Sequence, residues 1–283
     1  MKDSTSRRKF SKLLFSLPFI PVFGISGCDG KGLSDSGSAN HGSMAKEGTV
    51  SGSGKWASGG TDLISVDYPD DGLFQSTNPC RLSLTRETTL GPCYFEDDTG
   101  EDISLGYEGL PMQLCLRLID NECRPLDNYE IEVWHCDTQG VYSGDTSNSV
   151  DAGGFAGDFC TGGDDAAQKS SWYRGKLTTD SSGRVNFKTC FPGWYRGRTI
   201  HIHFAIRDHS GAFGLISQFC FTDELAKEIC TTHNFYRSRG EQDTPLAGGR
   251  DSVFPAAGYE DFLLKTKQNV DGSLLAYQTI QIA

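Results

Sequence analysis

Positive charge is what this sequence of 283 residues has least of: 26 Lys and Arg stand against 37 Asp and Glu, a formal net charge of −11. A chain this acidic repels phosphate backbones, so nucleic acid is not expected as a partner. Long apolar runs are missing too. The strongest, residues 13–25, is short and broken by Pro18 and Pro21, which argues against a comfortable bilayer span. No internal repeat is present. Histidine is scarce, with six residues in all, so a pair two positions apart stands out. Apolar residues (37%) and aromatics (11%) are sufficient for a buried core, which excludes general disorder. Cysteine, by contrast, is plentiful: ten residues are too many to be routine in a reducing compartment.

The first residues read as an address. Arg7, Arg8, Lys9 and Lys12 precede the apolar run, and Ser6-Arg7-Arg8-Lys9-Phe10 fits a twin-arginine export signal. The run ends in Ile25-Ser26-Gly27-Cys28, similar to a bacterial lipobox, in which Cys28 is lipidated and becomes the new N-terminus. Residues 1–27 are therefore expected to be a signal peptide. Residues 28–60 are expected to be a lipidated Cys followed by a Gly/Ser-rich tether that holds His41 in solvent. This implies an exported protein anchored to a membrane through lipid, facing the periplasm or the cell surface. Beyond Cys28 lie Cys80, Cys93, Cys115, Cys123, Cys136, Cys160, Cys190, Cys220 and Cys230. Several should pair in an oxidising compartment, and an odd number leaves at least one unpaired.

From residue 61 to residue 283 the texture is that of one mostly β domain, a β-sandwich or barrel. Strand patterns run over 113–119, 130–135, 172–178, 184–189, 199–207, 215–221 and 277–282. Asp180-Ser181-Ser182-Gly183 reads as a hairpin turn between two of them. One helix is expected to open at Thr222-Asp223-Glu224 and run to about residue 232. Residues 139–170, rich in Gly, Ser and Asp, read as an ordered loop.

The chemistry concentrates in residues 191–206, FPGWYRGRTIHIHFAI. On a strand, period two puts the imidazoles of His201 and His203 on one face and Ile200, Ile202 and Phe204 on the other. Two such imidazoles can chelate one metal. Tyr195 lies shortly upstream, and Tyr142 and Tyr94 each follow a strand or turn. A hard trivalent cation favours anionic oxygen and deprotonates a phenol that binds it. Cys93 and Cys136 read as disulfide halves or buried thiols, His135 as a structural histidine, Trp194 as packing, and His209 and His233 as solvent-facing.

The order Val133-Trp134-His135-x-Asp137-x-x-Gly140-x-Tyr142-Ser143, then Pro192-Gly193-x-Tyr195-x-x-Arg198-x-x-His201-x-His203, resembles the intradiol ring-cleavage dioxygenases over roughly residues 80–240. Gly91-Pro92, Tyr173-Arg174-Gly175 and Ser217-Gln218-Phe219 belong to the same resemblance. It implies a β-sandwich core of that type with few short helices. It also implies a non-haem Fe(III) held by Tyr142, Tyr195, His201 and His203, with Tyr94 in reserve, and a catechol-type substrate cleaved with O₂ to a cis,cis-muconate-type product. Tyr195 would take a substrate proton, Arg198 would stabilise developing negative charge, and Gln218 would orient Arg198. The short interval from Tyr195 to His201 and the signal and tether at the N-terminus resemble the small exported branch of the family, in which a homo-oligomer is one possible state. Two other readings stand beside this one. One is an Fe(II) centre of His201, His203 and Asp208, which strand parity disfavours because Asp208 points away from the His face. The other is a non-catalytic, surface-tethered β-sandwich lipoprotein that binds glycan or peptide.

Overall fold

The computed structural model describes residues 55–75, 84–97, 100–145 and 157–283. The expected signal, Cys28 and most of the tether lie outside these residues, as does Cys80. The folded unit falls within Glu47–Ala283.

Among the described residues, eight strands form two four-stranded sheets. They are β1 (Pro111–Ile119), β2 (Glu130–Trp134), β3 (Arg174–Thr178), β4 (Arg184–Cys190), β5 (His201–Arg207), β6 (Phe213–Cys220), β7 (Lys265–Gln268) and β8 (Leu274–Gln281). The first sheet has the order β4-β1-β8-β7, and the second β3-β2-β5-β6. Every pairing is antiparallel except that of β1 with β8. Between the sheets lies one core: Met112, Leu114, Leu116 and Leu118 of β1 and Leu274, Ala276 and Ile280 of β8 join Ile131, Val133, Ile202, Phe204, Ile206 and Phe219 of the second sheet. Burying these side chains is the main stabilising term of the fold. The mostly β class with a β-sandwich core is therefore as expected.

The seven strand patterns appear within a residue or three of their expected bounds. β7, with the sequence KTKQ, was not expected. It is a short, polar edge strand without the alternation that marks a half-buried one, and its lysines protect the open edge. The turn at 180–183 forms as read, closed by Gly183 N–H to the Asp180 carbonyl and Asp180 N–H to the Arg184 carbonyl. Two short helices, α1 (Gly157–Thr161) and α2 (Asp165–Gln168), occupy the far part of the stretch read as a loop. Helix α3 (Asp223–Thr232) begins where its cap predicts, with the Thr222 hydroxyl accepting from Leu225 N–H and two acids in the first turn.

The second sheet positions the site. On β5 the even residues enter the core, so His201, His203, Ala205 and Arg207 face the opposite side. There, segments around 86–95, 136–143 and 251–262 cover them, and even this outer face is buried as far as Ala205.

Candidate metal centre

His203 sits in a row set by strand register, opposite Trp134 on β2 and Gln218 on β6. All three side chains therefore project from the same face. The Trp134 ring stacks on the His203 imidazole at 4.9 Å and 12°. On the other side Gly91, at φ +78°, closes over the ring; a Cβ there would lie 3.1 Å from His203 Cε1.

Four side chains meet at His201 Nε2. His203 Nε2 lies at 3.1 Å, the Tyr195 hydroxyl at 3.2 Å and the Tyr142 hydroxyl at 3.3 Å. His201 Nδ1–H donates to the Thr199 carbonyl at 2.6 Å, which leaves Nε2 as a bare lone pair. That lone pair can accept one hydrogen bond, yet three groups crowd it. His203 Nδ1 is buried without a partner. This is an arrangement that polar groups avoid unless something else occupies them. Donors each about 2.0–2.1 Å from a shared ion stand roughly 3 Å apart, so the spacing fits a cage around one cation.

The electrostatics agree with a ligand role. Burial pushes the His201 pKa down to about 3 and that of His203 well below its ordinary value, so both rings are neutral and available as ligands. Burial also raises Tyr142 well above the usual phenol range and Tyr195 to about 12. Without a cation both phenols keep their protons; a trivalent ion in the cage would reverse that. Among the described residues no group of three or more His, Cys, Asp or Glu is placed to hold an ion. Here the donor set is completed by tyrosines.

Arg198 lies beside the cage, and its charge lowers the pKa of all four groups. Its Nη2 donates to Gln218 Oε1 at 2.6 Å and its Nε to Asp251 Oδ2 at 3.0 Å. Asp251, which the sequence reading did not single out, is almost fully buried and also accepts the amides of Thr199, Val253 and Phe254. Burial alone would raise its pKa; the Arg198 charge and the three amides hold it below the ordinary value.

Tyr94 stands apart from the cage. Its hydroxyl donates to Glu132 Oε2 at 3.0 Å and accepts from Arg207 Nη2 at 2.9 Å, so the reserve ligand belongs to a second polar cluster on the same sheet face. Asp208 closes the turn after β5, accepting from Ser210 and Ala212, which removes the Fe(II) triad. Cys93 is bonded to Cys160, and Cys123 is also in a disulfide. Cys136 is a buried free thiol, like Cys115, Cys190, Cys220 and Cys230. His135 is buried and bonded through both nitrogens, to the Cys136 carbonyl and the Thr189 hydroxyl. Trp194 packs half-buried with its indole N–H on the Gly240 carbonyl, and His209 is exposed. His233 departs from the expectation. It is buried beneath the chain at Ala57, whose carbonyl its Nε2 contacts at 2.8 Å.

A cleft of about 90 Å³ opens beside the phenols, lined by Cys93, Tyr142, Phe159, Cys160, Tyr195 and Arg196. Gly140 is required at its base, because a Cβ there would lie 2.2 Å from the Trp194 carbonyl oxygen.

A family model described as dioxygenase, Dioxygenase_C, matches residues 94–234, the segment that carries all four cage residues. The fold is similar to an intradiol ring-cleavage dioxygenase from Tetranychus urticae, with 25% identity, 71% of this chain and 94% of that chain covered, and a TM-score of 0.59. Together these findings support the intradiol ring-cleavage dioxygenase family. Another solved dioxygenase aligns at 24% identity over 71% of this chain and 95% of its own, with a TM-score of 0.60. Hydroxyquinol 1,2-dioxygenase from Pseudomonas putida DLL-E4 aligns at 18% identity, over 71% and 67%, with a TM-score of 0.47. No curated protein matches the sequence.

Proposed function

We propose that this chain is an Fe(III)-dependent intradiol dioxygenase that cleaves a catechol-type ring and incorporates both atoms of O₂, giving a cis,cis-muconate-type product. The observation that carries the reading is the crowding of Tyr142, Tyr195 and His203 around the single lone pair of His201 Nε2. Tyr142, Tyr195, His201 and His203 would hold the ion. Bound there, it would supply Lewis acidity and an electron acceptor for the ring. Two neutral imidazoles and two phenolates suit a hard trivalent cation, because the phenolates offset most of its charge.

The chain's own residues supply the rest. A catechol must lose two protons to chelate through both oxygens. Tyr195, the less buried of the two tyrosines that line the cleft, is the base for one of them. Tyr142, the more buried of the two, stays in place. Arg198, held on two sides by Asp251 and Gln218, keeps a fixed positive charge beside the ring to stabilise the anion that develops there. Trp134 and Gly91 fix the plane of the His203 ring.

The proposal extends to the N-terminus: export as a folded protein and attachment to a membrane through lipid on Cys28, with a homo-oligomer left to measurement. Purified protein expressed with ample iron should contain one iron per chain, show a visible phenolate absorption band, and consume O₂ with at least one member of a catechol panel. Protein that binds no iron under those conditions would favour the non-catalytic binding lipoprotein instead. Intact-mass measurement of membrane-extracted protein tests Cys28, and Cys28→Ala should move the protein to the soluble fraction.

A further inference from the structure

Of the four cage residues, Tyr142 is the one farthest along the chain from a strand, eight residues past the end of β2 at Trp134. His201 and His203 ride on β5, and Tyr195 precedes His201 by six residues. Tyr142 lies in a segment without regular structure, 59 residues away in sequence. A ligand must be held to within a few tenths of an ångström, so other contacts have to do what a strand does for the histidines.

Those contacts form a closed circuit. Tyr142 N–H donates to the Cys160 carbonyl at 2.7 Å. Cys160 is bonded to Cys93. The Cys93 carbonyl accepts from Arg174 Nη2 at 2.7 Å, and Arg174 Nε donates to the carbonyl of Ser143, next to Tyr142, at 2.9 Å. The Arg174 guanidinium carbon also stands 5.8 Å from the centre of the Tyr142 ring.

Arg174 is fully buried, and all its hydrogen bonds go to carbonyl or hydroxyl oxygens, with no carboxylate partner among the described residues. Burying a guanidinium in this way is costly. The planar fork justifies it: donors in fixed directions tie two separate segments at once, which the point charge of a lysine cannot do. We propose that Arg174 is a positioning residue for Tyr142 and that, with the Cys93–Cys160 disulfide, it braces the Tyr142 hydroxyl against the His201 imidazole. The brace itself does not depend on the dioxygenase reading; only one of its readouts does.

The test compares wild type with Arg174→Ala and Arg174→Lys. Hydrogen–deuterium exchange at the Tyr142 amide should accelerate about tenfold or more in both variants, with far-UV circular dichroism unchanged. In iron-loaded protein the visible band per iron should fall by roughly half, as one of two phenolates leaves. Added ethylguanidinium should restore it in the alanine variant. An unchanged amide exchange rate together with an unchanged band per iron would overturn the proposal, even if the melting temperature dropped. If both variants fail to fold, Cys93→Ala/Cys160→Ala opens the circuit on its other side, and the same two readouts decide in the same way. Should the wild type bind no iron, the dioxygenase reading fails, and amide exchange alone still decides the brace.

Discussion

Replacing Asp251 tests the support of the site most directly. Its carboxylate accepts four hydrogen bonds in a nearly dry environment: Arg198 Nε at 3.0 Å and the amides of Thr199, Val253 and Phe254 at 2.7, 2.8 and 2.9 Å. Asp251→Ala strands three amides and leaves Arg198, whose side chain is 13% exposed, tied to neutral Gln218 alone. Breaking one side of such a buried pair costs about 3–5 kcal/mol. At roughly 2–4 °C per kcal/mol for a domain of this size, the melting temperature should fall by at least ~6 °C. Arg198→Met should cost less, because the three amides still satisfy Asp251. The double variant should then show a coupling of about 1–3 kcal/mol. Urea unfolding of the four proteins at neutral pH measures it. The effect also has a pH signature. The folded pKa of Asp251 lies below the unfolded value of about 3.9, so its contribution is complete above that pH and is lost as pH falls through the lower folded value. A loss under 1 kcal/mol for Asp251→Ala, or additive single variants, would refute the reasoning.

Other perturbations have equally definite outcomes. Tyr195→Phe should shift or weaken the visible band and slow turnover at least tenfold; an unchanged spectrum removes Tyr195 from the cage. His201→Ala should abolish iron retention by elemental analysis, and full occupancy would contradict its assignment. Burial pushes the Glu132 carboxyl up to about 7, against an ordinary glutamate near 4.3 in the unfolded chain. The folded state therefore binds the extra proton, and stability declines as pH rises between those values. Glu132→Gln should remove that decline, seen as a smaller fall in melting temperature from about pH 5 to about pH 8; parallel curves would refute it. Cys115, Cys136, Cys190, Cys220 and Cys230 are buried thiols, so alkylation with peptide mapping should label them only after denaturation.

The paired histidines were legible because they lie on a regular strand, where period two alone decides which side chains share a face. Gln218 was found through the family resemblance; its physical warrant is the register that sets it opposite His203. Asp251 was not legible. It sits in irregular chain some fifty residues past its partner, and nothing local distinguishes a carboxylate that caps two amides from one that also holds an arginine. Arg174 lay inside a quoted motif, but its hydrogen bonds run to main-chain carbonyls, which leave no trace in residue type. His233 read as exposed because it ends a helix, yet the distant segment at Ala57 lies over it. The Cys93–Cys160 bond required three-dimensional proximity across 67 residues, beyond the reach of spacing.

Strand β8 lies between β1 and β7 and pairs with β1 in parallel, so the first sheet cannot close until residues 274–281 have been synthesised. A growing polypeptide still attached to the ribosome would hold β1 and β4 with a missing neighbour and an open apolar surface. Completion of this sheet therefore comes late in synthesis, because its β1–β8 pairing joins segments far apart in the sequence.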